Sequence, residues 1–301
     1  MTSDSPIIQI NGLTRRYGAT DAVLGLDLTV MPGRVYGFFG RNGAGKTTTI
    51  KCLLNLLKPT SGTVRVFGLD PAREEVAVKS RLAYVPDQVA FYPWMSVRQS
   101  LEYVASFRAR WNWDLAHALL TQLRLPPAQR AMSLSKGQRT QLALVAAIAA
   151  EPDLLVLDEP TSGLDPVVRR EFIRTVIGAY QDASHERTVF VSTHLISEFE
   201  GLIDEFTIIE GGRAVLSLEA DEARARFHKI VVRFPEIVEG IELGGARVLN
   251  RRGRDVELLV TDDPAPVLQR LQAHAPSVIG TEALTLEEIF VTTVSPAGAP
   301  A

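Results

Sequence analysis

Residues 22–30 place Leu24, Leu26, Leu28 and Val30 in alternation with Asp27 and Thr29, and residues 7–13 are similarly apolar. Both stretches predict strands of a half-buried sheet. The apolar run 35–39 meets a Gly-rich turn, then a helix whose Ile50, Leu53, Leu54 and Leu57 recur at i, i+3, i+4 and i+7. Residues 154–157 and 189–191 are unbroken apolar runs, the pattern of buried strands in a parallel sheet covered by helices on both faces. The predicted class is α/β. Residues 96–125 read as a helical insert, with Ser96 and Gln99 as a capping box, and with Asp114 capping a second helix that Pro126 and Pro127 stop. Beyond Gly211-Gly212 come short strands at 230–234 and 256–260 and brief helices at 266–274 and 286–291. These shifts predict a main domain over 1–218, with its insert at about 90–150, and a small C-terminal α/β domain over 219–295. The tail, 296–301, is rich in Pro, Ala and Gly and is expected to fray.

Composition narrows the class. Hydrophobic residues make up 46% and charged residues 22% of the 301, far from the signature of disorder. The longest apolar run, 142–150, is nine residues, whereas a membrane-spanning helix needs about 20. The N-terminal segment has no basic stretch followed by an apolar one, so the expected location is cytoplasmic. A net charge of −3, from 32 basic and 35 acidic residues, lacks the excess that a nucleic-acid backbone demands, and no nucleic-acid partner is expected. The single cysteine, Cys52, sits in an apolar helical pattern and reads as a small hydrophobe.

One segment carries chemistry on its own. Gly40-Arg41-Asn42-Gly43-Ala44-Gly45-Lys46-Thr47 fits G-x-x-x-x-G-K-[ST] and lies between a predicted strand and a predicted helix, the setting of a phosphate-binding loop. Its glycines let backbone N–H groups converge on phosphate oxygens, and the helix N-terminus adds partial positive charge. Lys46 is placed to bridge the β and γ phosphates, Thr47 to bind magnesium, and Thr48 to join the nucleotide contacts. The apolar run 154–157 ends in Asp158-Glu159, at the kind of strand end where α/β sheets bind ligands. Asp158 would hold the magnesium shell. Glu159, facing differently, would polarise the attacking water.

With five further segments in order, roughly residues 5–215 resemble the nucleotide-binding subunits of ATP-binding cassette (ABC) transporters. Leu134-Ser135-Lys136-Gly137-Gln138 is similar to the cassette signature, Ser162-Gly163-Leu164-Asp165 to the D-loop, and His194 to the switch histidine. Tyr17 matches the aromatic position on which adenine stacks, and Tyr84-Val85-Pro86-Asp87-Gln88 occupies the place of the Q-loop. The resemblance implies a P-loop NTPase core with an antiparallel β subdomain and a helical insert. It implies ATP and Mg2+ as cofactors, Gln88 as a further magnesium ligand, and Lys46, Glu159 and His194 as the catalytic set. Ser135, Lys136, Gly137 and Gln138 would close on the ATP of a second subunit, with Asp165 in the D-loop between them. The partners so implied are a transmembrane permease subunit and a homodimeric mate or second ATPase subunit, with the chain peripheral on the cytoplasmic membrane face.

Three positions depart from the family pattern. Lys136 stands where glycine is commonest, a form similar to cassettes that pair with separate membrane subunits, many of them exporters. Asp87 stands where glutamine is usual, and Gln88 follows it, leaving the magnesium contact open between the two. Arg41 replaces a frequent proline, a change of little weight because only its backbone need touch phosphate. The insert also carries Phe91, Tyr92, Trp94, Tyr103, Phe107, Trp111 and Trp113. Aromatics at helical spacing are expected mostly in the core, with the loop 91–95 as an exposed docking candidate for the membrane partner. A soluble cassette of the DNA-repair type would show a long coiled-coil insertion, and a ribosome-associated one usually two cassettes. Neither is visible. A guanine-reading Asn-Lys-x-Asp segment is absent, which argues against a GTPase. The C-terminal segment has no catalytic constellation and reads either as a regulatory or dimer-supporting domain or as a stabilising appendage.

Overall fold

The computed structural model describes residues 5–181, 187–237 and 245–294, which divide into two compact units, Met1–Val215 and Leu216–Ala301. The tail at 296–301 lies outside the described residues. In the first unit, β1 (Ile8–Tyr17) and β2 (Thr20–Val30) form an antiparallel hairpin. Leu26, Leu28 and Val30 are buried as the alternation predicts, but Val23 rather than Leu24 is the next buried residue. The phase changes because Gly25, at φ 62°, sits at a break in register where its N–H donates to Thr14 Oγ1 at 3.0 Å. An extra residue in one strand of a pair switches which side chains face inward.

β3 (Val35–Phe39) is buried except at its first residue and leads through the glycine loop into α1 (Lys46–Leu53). This helix is shorter than its apolar spacing predicts. Leu54 caps it, Asn55 takes a left-handed φ of 56°, and Leu57 packs on the core from outside the helix. β4 (Ser61–Val66) completes an antiparallel sheet of order β2-β1-β4. Cys52 is buried beneath it, and burial pushes its thiol pKa up, which keeps it inert.

α2 (Glu75–Arg81) and β5 (Leu82–Val85) precede the insert, which holds three α-helices, α3 (Val97–Ala105), α4 (Trp113–Gln122) and α5 (Lys136–Ala149), and a short 3₁₀ turn, Ala131–Ser133. The Ser96–Gln99 capping box forms as expected. The cap of α4 is Asn112, whose side chain accepts from Leu115 N at 2.9 Å, while Asp114 lies in the first turn. Both residue types cap helices, and the sequence offers them two positions apart. α4 stops at Gln122 with Arg124 at φ 52°, before the prolines are reached. Tyr92 and Trp94 are exposed, as expected of the loop 91–95, but Tyr103, Phe107 and Trp113, expected in the core, are exposed as well. Tyr92, Trp94, Tyr103 and Phe107 pack on one another, with ring centroids 5.0 Å apart for Tyr92 and Trp94, 5.4 Å for Tyr92 and Tyr103, and 5.1 Å for Tyr103 and Phe107, while Trp113 packs on Trp111 at 5.5 Å.

The chain continues through β6 (Leu154–Asp158), α6 (Pro166–Gln181), β7 (Thr188–Thr193), β8 (Glu205–Glu210) and β9 (Arg213–Glu219). The six-stranded sheet has the order β5-β6-β7-β3-β8-β9, and β5, β6, β7, β3 and β8 run parallel. β6 and β7 are buried throughout, so their ends deliver polar residues side by side beside the loop that follows β3.

The second unit starts within β9 and continues with α7 (Ala220–Arg226) and β10 (Phe227–Arg233), followed by β11 (Arg247–Arg252), β12 (Asp255–Thr261), α8 (Ala265–Gln272), β13 (Val278–Ala283) and α9 (Leu286–Val294). Its antiparallel sheet has the order β11-β12-β10-β13. Ile230, Val232, Val256, Leu258 and Val260 pack with Val267 and Leu271 of α8. Lys229 of β10 ion-pairs with Glu288 of α9 at 2.9 Å.

Candidate functional site

The glycine loop is held in place by close backbone approaches. Gly45, the residue before α1, has φ 109°, and a Cβ there would lie 2.4 Å from the Ala22 carbonyl oxygen. Gly40 is equally confined, with the Ile209 carbonyl oxygen 2.6 Å from where its Cβ would be. Only glycine fits both conditions at Gly45. The loop folds around Lys46, which is 5% exposed. Its ammonium donates to Gly40 O at 2.7 Å and Arg41 O at 3.2 Å and pairs with Glu159 Oε1 at 2.9 Å.

Glu159 follows β6 at a left-handed φ of 47°, with its N–H donating to Ser192 O at 2.7 Å. That turn aims its side chain away from Asp158 and toward two cationic or protic partners. Oε1 meets Lys46, and Oε2 lies 2.8 Å from His194 Nδ1. A carboxylate only accepts, so Nδ1 carries the hydrogen of this bond, and Nε2 accepts in the neutral ring or donates in the imidazolium.

Asp158 is almost completely buried. Burial pushes its pKa up, the neighbouring hydroxyls of Thr47 and Ser192 pull it down, and the net shift is upward. Its Oδ1 has no hydrogen-bond partner. Tyr84, near the end of β5, lies beside Asp158, and its phenol pKa is raised by burial and by the charge of that carboxylate. An upward shift means the fold disfavours ionised Asp158, so its charge costs stability at neutral pH and the cost lifts as pH falls through the raised pKa. Asp158→Asn is therefore expected to raise the melting temperature at pH 7, with the gain shrinking as pH is lowered. A drop in melting temperature at pH 7 would contradict the burial argument.

A cavity of about 340 Å³ opens over these groups. Asn42, Gly43, Gly45, Lys46, Thr47 and Thr48 form its floor, and Glu159 and His194 its far wall. Ala22, Asp87 and Ser162 complete the lining. Asp87 reaches the cavity, whereas Gln88 is exposed and does not line it, so the magnesium position expected at Gln88 is not where the structure places that residue. Tyr17 is 44% exposed at the end of β1 and lies outside the lining, with the Arg15 guanidinium 4.7 Å from its ring centroid. Ser135 and Gln138 form their capping box at the start of α5, with Ser135 Oγ accepting from Gln138 N at 3.2 Å and Gln138 Oε1 accepting from Ser135 N at 3.0 Å. Lys136 lies against Gly163, and Gly137 against Leu164 and Val168. Neither this group nor Asp165 lines the cavity.

Ala22 and Ser192 are not marked as site residues by the sequence, and Ser162 and Tyr84 stand there only as members of the D-loop and Q-loop segments, with no role of their own. Tyr84 and Ser192 occupy ends of strands flanking β6, so the usable signal was that carboxyl ends of neighbouring parallel strands converge. Among the described residues no group of three His, Cys, Asp or Glu side chains is arranged for a metal. That suits magnesium, which takes one or two carboxylates and completes its shell with phosphate oxygens and water. The unpartnered Asp158 Oδ1 beside the Thr47 hydroxyl is such a donor set.

A phosphate loop closing on a buried lysine, with two acidic residues at the adjacent strand end, defines a P-loop ATPase. A family model described as "ABC transporter" matches residues 23–162, and one described as "AAA domain, putative AbiEii toxin, Type IV TA system" matches 127–199. The bacitracin transport ATP-binding protein BcrA of Bacillus licheniformis is 34% identical over 75% of this chain and 74% of its own. The daunorubicin resistance ATP-binding protein DrrA3 of Streptomyces coeruleorubidus is 36% identical, over 72% of this chain and 70% of its own. A solved ATP-binding subunit of an ABC transporter superposes with a TM-score of 0.66 at 25% identity, covering 72% of this chain and 92% of that one. The dimeric cassette MJ0796 has the same fold, with a TM-score of 0.63 at 21% identity over 71% of this chain and 98% of its own. The chain belongs to the ATP-binding subunits of ABC transporters. It binds and hydrolyses ATP.

Proposed function

We propose that two copies of this chain, or one copy and a second ATPase subunit, hold ATP between them and drive a separate transmembrane partner through an export cycle. The observation that carries this reading is the contact series Lys46–Glu159–His194 across the cavity wall. Lys46 donates to two backbone carbonyls and ion-pairs with Glu159, so triphosphate oxygens gain its ammonium by displacing the Glu159 carboxylate. The displaced Oε1 is then free to accept a proton from water, while His194 keeps Oε2 in place. Thr47 and Asp158 would hold Mg2+, with Asp87 rather than Gln88 as the further polar group on that side. The ion supplies neutralisation of charge on the transferred phosphoryl group.

Tyr17 stacks the adenine, and Gly40 to Thr48 cradle the phosphates. Ser135, Lys136, Gly137 and Gln138 present a capped helix N-terminus, suited to an anion, to the ATP of the second copy, with Asp165 in the loop between them. No described helix is long and apolar enough to cross a membrane, and the chain would act at the cytoplasmic face through a membrane subunit. The transport and resistance named for BcrA and DrrA3 support export as the direction.

The exposed aromatic cluster of the insert is the proposed seat of that membrane partner. Trp94 is 66% and Tyr92 44% exposed, so changing them should alter stability by only about 0.5 kcal/mol. Tyr92→Glu and Trp94→Glu are expected to abolish coupled transport in reconstituted vesicles while the basal ATPase rate of the purified chain stays within about twofold. Equal losses in transport and basal hydrolysis would count against a docking role.

A further inference from the structure

Glu159 and His194 are also joined by a second, longer route through the loop 162–165 and the ion pair of Arg169 with Glu198. Asp165 Oδ1 accepts hydrogen bonds from Val167 N at 3.0 Å and Val168 N at 3.1 Å, which anchors the first turn of α6 to the loop before it. One turn along, Arg169 points back: Nη2 donates to the Leu164 carbonyl at 3.1 Å, and Nη1 pairs with Glu198. Glu198 ends the short 3₁₀ turn Ile196–Glu198 that follows His194. Bonds donated by backbone N–H groups complete the circuit. Ser162 N donates to Glu159 O at 3.1 Å, Leu164 N to Thr161 O at 3.1 Å, and Leu195 N to Thr193 Oγ1 at 2.9 Å. From Glu159 the path runs through the loop to Leu164, across Arg169 to Glu198, and back through His194 to Glu159 Oε2.

The pair at the centre of this circuit is sheltered. The Glu198 side chain is 11% exposed, and Arg169 Nε and Glu198 Oε2 are buried without a partner. Arginine spans two elements here because its fork presents separate donors in a fixed plane, which a lysine ammonium cannot reproduce. Neither residue lines the cavity.

We infer that Arg169 is a positioning residue for ATP hydrolysis. It ties the loop 162–165 to the turn after His194, so that pressure on the loop from a second copy of the chain shifts the His194–Glu159 contact. The inference rests on the proposed roles of Glu159 and His194 in hydrolysis and of the loop at the meeting of two copies. A small displacement of a positioned catalytic group is enough to change rate without changing substrate binding.

The test measures kcat, KM for ATP and melting temperature on the full chain. Arg169→Met should lower kcat by about 10- to 100-fold with KM within about twofold. Arg169→Lys, which keeps the charge toward Glu198 but loses the fork, should recover part of the rate. Because Arg169→Met alone strands a buried carboxylate and can fail to fold, the pair Arg169→Met with Glu198→Leu is measured beside it; removing both charges restores stability. In the double variant the melting temperature should return and kcat should stay low. Recovery of kcat together with melting temperature would show a purely structural pair and overturn the inference. Slow turnover by Glu159→Gln and His194→Ala with normal turnover by Arg169→Met would overturn it alone. Normal turnover by those two cavity variants would remove the underlying roles, and the inference with them.

Discussion

Glu159→Gln is expected to slow ATP turnover by about 10²- to 10⁴-fold, the usual worth of a positioned general base, while ATP binds at least as tightly as before. The first effect follows because an amide cannot take the proton of the attacking water. The second follows from the 2.9 Å pairing of Glu159 with Lys46. Phosphate oxygens compete with that carboxylate for the ammonium, and glutamine is a weaker competitor. Titration with a fluorescent ATP analogue and a phosphate-release assay on the same preparation separate the two. Normal turnover would remove Glu159 from water activation, and weakened binding would contradict the exchange at Lys46.

Gly45→Ala is expected to abolish nucleotide binding at millimolar ATP. The change forces a side chain into a left-handed φ of 109° and drives its Cβ to within 2.4 Å of the Ala22 carbonyl oxygen. Strain of this kind costs about 1–3 kcal/mol before any clash is counted. Relief requires moving either the loop or β2, whose Ala22 lines the cavity. Gly43→Ala is the control, since Gly43 has φ 83° but nothing within 4 Å of the added methyl group. It should cost the backbone strain alone and retain measurable ATP affinity. Equal effects at the two glycines, read by the same titration, would show that close approach to Ala22 does not shape the loop.

Those two positions differ in how far the sequence could reveal them. The glycine spacing, the lysine and the acidic pair at a strand end are local, and the apolar runs before them are long enough to place each on its element. Contacts supplied by topology were hidden. Tyr84 and Ser192 meet Asp158 because β6 lies between β5 and β7, and strand order is not written in any one segment. Asp87 and Gln88 are adjacent, and adjacent side chains diverge, so the residue that reaches the cavity depends on backbone direction alone. The insert's aromatics misled because helical spacing marks a face without saying whether the protein covers it. Asn55 ended α1 through a left-handed turn that the continuing apolar period concealed. Arg169 and Glu198 lie in separate segments of the chain, and only the fold brings them together.

If ATP is held between two copies of the chain, Glu159→Gln should change mass in sedimentation equilibrium when ATP and magnesium are added. The mass expected without nucleotide, or with ADP, is that of one copy, 33.0 kDa, and with ATP it should double. A particle that keeps the mass of one copy at saturating ATP would contradict the sandwich, and with it the assignment of Ser135 to the second copy's nucleotide.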